Sequence, residues 1–175
     1  MKFSVKKLAL CAVLSALALG LSTLENLFPV SLAVPLPGVK LGLANIVTVF
    51  ALYELGAPAA LAILVTRCLL GGLFSGTVTA LLFSLLGGLC AMGVMILLKR
   101  SRRLSIYGVS IGGAAAHNVG QIAAAVITLG NPMVVGYLPF LLAVALVTGS
   151  LTGFVVSLLT RATSHLHLTN QSDFR

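Results

Sequence analysis

Acidic residues are almost missing from this sequence. The 175-residue chain holds three of them, Glu25, Glu54 and Asp173. Charged residues of both signs together make up 8% of it, against roughly 25% in a soluble domain. A water-facing surface cannot be built from so little charge, because large exposed apolar patches associate. A soluble enzyme is excluded. The shortage of carboxylates removes chemistry as well, since no apolar stretch holds a pair of them for general acid and base work. No G-x-x-x-x-G-K-[ST] run occurs, so the chain has no phosphate loop of that kind for ATP. Cys11, Cys68 and Cys90 show no C-x-x-C spacing and read as small apolar packing residues, with neither zinc nor a disulfide expected. No catalytic residue, metal or cofactor is expected.

What the chain does have is apolar length. Hydrophobic residues make up 59% of it, and the mean hydropathy is +1.14. The expected fold is a single all-α membrane domain of about six spanning helices, each needing about 20 apolar residues or as few as roughly 17. Charges and Pro/Gly turns divide the sequence into spans near 8–24, 41–54, 59–74, 78–98, 106–129 and 137–159. The stretch 25–40 carries Pro29, Pro35 and Pro37 and reads as a loop or re-entrant segment. Spans two and three are short for the task.

Basic residues orient the bundle. Lys2, Lys6 and Lys7 precede the first span, the cluster at 99–103 separates the fourth from the fifth, and Arg161 follows the sixth. Six crossings put all of these on one face, which the positive-inside bias makes cytoplasmic together with both termini. The net charge of +8 is then a topology signal, split among helix ends, and no nucleic-acid partner is expected. The N-terminus also has the look of a cleavable signal peptide, with Ala16-Leu17-Ala18 as a cleavage site. Against cleavage, the apolar run continues to Leu24, and its loss would upset the charge parity.

Small residues recur four apart at Ala12, Ala16 and Gly20, at Gly72 and Gly76, and at Gly149 and Gly153. In lipid such stripes let helix backbones approach closely. Each serves either internal packing or docking of another membrane subunit, and spacing alone does not choose.

Polar residues inside spans are costly and mark pathways or sites. Arg67 lies about ten residues into the third span, in its outer half. Lys40 flanks the second span, and Asn45 lies just inside it. In the fifth span His117, Asn118 and Gln121 share one helix face. Together these residues point to a pocket open to the outside. Arg67 and Lys40 suit a phosphate or carboxylate, and the apolar surroundings suit a hydrophobic ligand body. The bland alternatives are that Arg67 pairs with Glu25 and that His117 is a hydrogen-bonded core residue.

The runs Val39-Lys40-Leu41-Gly42-Leu43-Ala44-Asn45-Ile46, Arg67-Cys68-Leu69-Leu70-Gly71 and Ala116-His117-Asn118-Val119-Gly120-Gln121 resemble a bacterial family. It is called the Gx transporter family, or heptaprenyl diphosphate synthase component I. It is similar to the substrate-binding S components of energy-coupling factor (ECF) transporters. The resemblance covers about residues 5–160. It implies an S-component-like bundle in a bacterial cell membrane that captures a small molecule outside. The implied partners are a transmembrane T component, docked through Ala12 and Ala16 on the first helix, and two cytoplasmic ATPases. The loop 25–40 would cover the ligand, and the loaded protein would tip within the bilayer to deliver it.

The second name raises prenyl transfer. That chemistry needs several carboxylate oxygens around Mg²⁺, and the sole aspartate is Asp173, in the C-terminal tail. The chain is therefore not expected to be an enzyme, although the name suits an isoprenoid- or quinone-related ligand. A flavin, vitamin or other precursor fits the same frame. A structural membrane subunit of a redox or prenyl-transfer complex and a stand-alone facilitator are the alternative functions.

Overall fold

The computed structural model describes residues 5–25, 42–101 and 103–164. These residues form six α-helices and one 3-10 turn, with no strand among them. They are α1 (Val5–Glu25), α2 (Asn45–Glu54), α3 (Ala57–Ser75), α4 (Val78–Arg100), α5 (Ile106–Leu129) and α6 (Leu138–Thr163), the 3-10 turn Pro132–Tyr137 leading into α6. Pro58 sits in the first turn of α3, where its missing N–H costs nothing. Gly76 and Gly130 end α3 and α5 in the left-handed conformation, each returning its N–H to a carbonyl of the last helical turn. The short connections after α2, α3, α4 and α5 make consecutive helices antiparallel neighbours. The basic residues Lys7, Lys99, Arg100, Arg103 and Arg161 accordingly collect at one end of the bundle.

Four segments are long and apolar enough to cross a membrane: α1, α3, α4, and α6 together with its leading 3-10 turn. α5 has 24 residues, the length of a span, but it is not among those four, and it carries Ser110, His117, Asn118 and Gln121 in its middle. α2 departs most from the expected span 41–54. It has ten residues, about 15 Å of helix, half of a hydrocarbon core about 30 Å thick. It begins only at Asn45, because Gly42 adopts a positive φ of 85° and the chain enters the helix through a tight turn in which the Asn45 N–H donates to the Gly42 carbonyl at 2.8 Å.

A short helix of this kind survives by enclosure. Seven of its ten residues are buried, and it touches α1, α3, α4 and α6. At its far end Lys99 of α4 donates to the Leu52 carbonyl at 2.7 Å, with its ammonium 4.7 Å from the centre of the Tyr53 ring. A cation there satisfies an end carbonyl and complements the negative pole of the helix.

The long helices are held by backbone approach at glycine. A Cβ on Gly120 would lie 2.6 Å from the Leu86 carbonyl oxygen and 2.8 Å from Gly87 Cα. One on Gly149 would lie 2.6 Å from Ile111 Cα, and one on Gly153 2.9 Å from Tyr107 Cα. The 149/153 stripe is therefore internal packing of α6 on α5. Ala12, Ala16 and Gly20 are exposed on the outer side of α1, and nothing comes within 4 Å of a Cβ on Gly20. Gly120→Ala should lower the melting temperature in a bilayer mimetic, through an overpacking cost of about 1–3 kcal/mol. Gly93→Ala, where a Cβ meets open space, should leave stability unchanged or raise it by up to about 1 kcal/mol from helix propensity. Equal melting of the Gly120 variant and the parent would show that α4 and α5 are not held by this contact.

Candidate functional site

The site grows from the turn that opens α2. Asn45 is the first residue of that helix, so its side chain projects from the buried N-terminal end rather than from a helix flank. Its Oδ1 accepts a hydrogen bond from Arg67 Nη2 of α3 at 3.3 Å. Arg67 is 6% exposed, and its Nε is buried with no hydrogen-bond partner among the described residues. Its surroundings on α3 are apolar, with Ile63, Leu64 and Cys68 all buried.

Glu25 supplies the opposite charge. It is the last residue of α1, 4% exposed, and its carboxylate acts electrostatically on Arg67. Its Oε1 also accepts the Leu43 N–H at 2.6 Å, which ties the end of α1 to the entry of α2. The acid that opened a loop in the sequence is thus part of the site. That Glu25 bears on Arg67 is one of the two readings the sequence left open, and the 42 positions between them did not by themselves decide it.

α5 approaches from the other side. His117 and Gln121, both buried, lie against Gly87 of α4, where a Cβ would come within 2.9 Å of His117 Cε1 and 3.1 Å of Gln121 Cγ. His117 also approaches Gly42, since a Cβ there would meet Asn45 Nδ2 at 2.9 Å and His117 Cδ2 at 3.5 Å. Two glycines thus make room for the polar side chains, and Gly42 is where Asn45 and His117 converge. Sequence reasoning passed over both; the positive φ of Gly42 leaves no mark in the sequence beyond the glycine itself.

The shared face of α5 is divided. Asn118 donates through Nδ2 to the Leu141 carbonyl of α6 at 2.6 Å, so it ties α5 to α6 while its neighbours turn towards α4. One residue along a helix is a rotation of about 100°, enough to change the partner helix while all three side chains stay buried. Asn45, Arg67, His117 and Gln121 come together with Glu25; Asn118 lies at their edge. Lys40 and the loop 26–41 lie outside the described residues.

The arrangement offers a desolvated guanidinium, a carboxylate engaged by the backbone, two amides and an imidazole. Among the described residues no three His, Cys, Asp or Glu side chains come together as a metal would need. The run Gly108-Val109-Ser110-Ile111-Gly112 has the G-x-S-x-G spacing of a hydrolase nucleophile. That role needs a strand-to-helix elbow that presents the hydroxyl. Here all five residues lie within α5, and Ser110 is 2% exposed.

A family described as heptaprenyl diphosphate synthase component I matches residues 14–159. No curated protein and no solved structure matches the chain.

The electrostatics make a prediction that needs no ligand. Arg67→Gln removes the cation on which Glu25 acts and the charged hydrogen bond to Asn45, and should lower the melting temperature by the equivalent of about 1–3 kcal/mol. The double variant Glu25→Gln, Arg67→Gln removes both charges and keeps an acceptor for the Leu43 N–H. It should recover most of the loss in melting temperature. A double variant as unstable as the single one would show that the two charges do not compensate each other.

Proposed function

Because the chain belongs to the heptaprenyl diphosphate synthase component I family, we propose that it is the substrate-binding membrane subunit of an ECF-type importer. On this reading the Arg67 site takes the anionic head of a small amphipathic precursor, of the isoprenoid diphosphate or quinone-related class, from outside the cell. The observation that carries the reading is Arg67 itself, a nearly fully buried cation in an apolar bundle with one nitrogen unpartnered among the described residues. Ionisable groups at such depth mark substrate paths more often than scaffolding. The guanidinium fork fits phosphate or carboxylate. Lys40, outside the described residues, is the second cation the sequence assigns to the ligand. An arriving anion takes over the counter-charge that Glu25 provides at rest, and His117 and Gln121 offer neutral hydrogen bonds. Asn118 holds α6 beside them.

The proposal gives the chain no bond-making step. Its few carboxylates favour capture over prenyl transfer, which needs several around Mg²⁺. The exposed stripe of Ala12, Ala16 and Gly20 suits docking on a transmembrane T component, since small side chains allow close backbone approach. Two cytoplasmic ATPases complete the machine and drive release. The basic end of the bundle and both termini then face the cytoplasm.

A structural membrane subunit of a redox or prenyl-transfer complex is the second reading, favoured by Glu25, which gives Arg67 a purely architectural partner. Two experiments separate them. The T component and ATPases should co-purify with the parent and be lost in Ala16→Leu, while that variant still binds a prenyl diphosphate probe. The double variant Glu25→Gln, Arg67→Gln, stable enough to assay, should lose probe affinity about 30-fold or more, the equivalent of about 2 kcal/mol for a buried charge-assisted contact. Undiminished probe binding by the double variant would leave Arg67 its architectural role alone.

A further inference from the structure

Away from Arg67, at the basic end of the bundle, α5 and α6 part below the Gly153 contact and leave a cleft of about 480 Å³. Ser105, Ile106 and Tyr107 at the start of α5 and Ser157, Thr160, Arg161 and Ser164 at the end of α6 line it, so hydroxyls and one guanidinium are set into a largely apolar wall. Neither Glu25 nor Glu54 lines it.

The hydrogen bonds around this cleft leave donors in excess. Ser157 spends its O–H on the Phe154 carbonyl at 2.8 Å, and Ser164 spends its own on the Arg161 carbonyl at 2.7 Å. Ser105 Oγ caps α5 by accepting the Gly108 N–H at 3.4 Å. Those three hydroxyls are engaged with the backbone. Thr160 is different: its hydroxyl oxygen is buried and has no hydrogen-bond partner among the described residues. The Tyr107 hydroxyl has only a long 3.5 Å contact with Ser157 Oγ. Arg161 is exposed and brings a full set of guanidinium donors. Of the first-turn N–H groups of α5, that of Gly108 is taken by the Ser105 cap, and those of Ile106 and Tyr107 have no acceptor within the helix. Donors without acceptors among the described residues, under a cation, call for an anion.

The flank of the cleft states which kind. Phe154 and Leu158 are each 49% exposed. They stand four apart on α6, with Arg161 three further on, so an exposed apolar stripe runs straight up to the cation. A soluble anion leaves that stripe unused, whereas a lipid uses both parts. We propose that the cleft binds the phosphate headgroup of an anionic phospholipid from the leaflet at the basic end. Arg161, Thr160 and Tyr107 hold the phosphate, and an acyl chain lies along Leu158 and Phe154. Basic pockets between membrane helices recognise lipid phosphates in this way. The site is independent of whatever binds at Arg67.

The test uses the full chain in nanodiscs of phosphatidylcholine, with or without phosphatidylglycerol, and native mass spectrometry of the lipid retained. Phosphatidylglycerol should raise the parent's melting temperature and be retained in preference to phosphatidylcholine. Arg161→Gln should weaken that retention about tenfold or more, above the roughly fivefold that one surface cation contributes by general attraction. Thr160→Val should weaken it in the same direction, with no change in net charge. Both variants should melt like the parent in phosphatidylcholine alone, since neither side chain bonds another helix. Arg100→Gln removes the same charge from the same end outside the cleft and should affect retention fivefold or less. If Arg100→Gln and Arg161→Gln weaken retention equally, the attraction is diffuse and the site does not exist. If inorganic phosphate stabilises the parent as well as phosphatidylglycerol does, and Arg161→Gln abolishes that effect, the cleft serves a soluble anion and the lipid assignment fails.

Discussion

Holding a guanidinium away from water inside an apolar bundle costs several kcal/mol even after the surroundings relax, and the protein's upper architecture is arranged around that cost at Arg67. Compensation arrives from two helices. Asn45 supplies a carbonyl oxygen from the first residue of α2, and Glu25 supplies a charge from the last residue of α1. Glu25 also accepts the Leu43 N–H, so the group that balances Arg67 anchors the entry of α2 as well. Three helices thus meet at a single electrostatic knot. Without it, a ten-residue helix would have little to fix its start.

The rest of the bundle is held by shape. In lipid, helices gain nothing from leaving water, so packing decides their association. α4, α5 and α6 meet at Gly120, Gly149 and Gly153, where a methyl group would strike the neighbouring backbone. This tight three-helix block carries His117 and Gln121 on the side facing α4, with Gly87 as the notch that admits them. Lys99 reaches from α4 to the carbonyl end of α2 and fixes its second terminus. The half-length helix is therefore pinned at both ends by charged side chains from other segments, and enclosed between them.

Two polar places result, with opposite surroundings. The Arg67 site is deep, with Glu25 acting on its cation from the end of α1 and Asn45 bonded to it from the start of α2. The α5–α6 cleft is open, with hydroxyls set in a largely apolar wall beside an apolar stripe, and the exposed Arg161 stands at its rim. The first suits a ligand that can replace an internal counter-charge. The second suits a molecule that is anionic at one end and oily at the other. A membrane protein with so few acids can keep these places apart because no surplus carboxylates compete for its cations.

Composition and hydropathy were sufficient for the membrane class, the all-α fold and the gathering of basic residues at one end. Each of these depends on local chemistry: the length of an apolar run or the sign of a charge. The residues of the Arg67 site were legible too, because a polar side chain in an apolar run stands out whatever surrounds it. Their grouping was legible only in part. The helical period says which residues share a face but not which helix that face meets, so Asn118 parted from His117 and Gln121, while the influence of Glu25 on Arg67 was one of two readings the sequence left open. The same limit applied to the small-residue stripes. Gly149 and Gly153 turned inward against α5, while Ala12, Ala16 and Gly20, with the same spacing, faced outward. Ten residues of α2 became an enclosed half-helix rather than a span, because Gly42 delayed its start and Lys99 held its end. Those outcomes belong to the tertiary structure, since each depends on a contact between segments that sequence spacing does not encode.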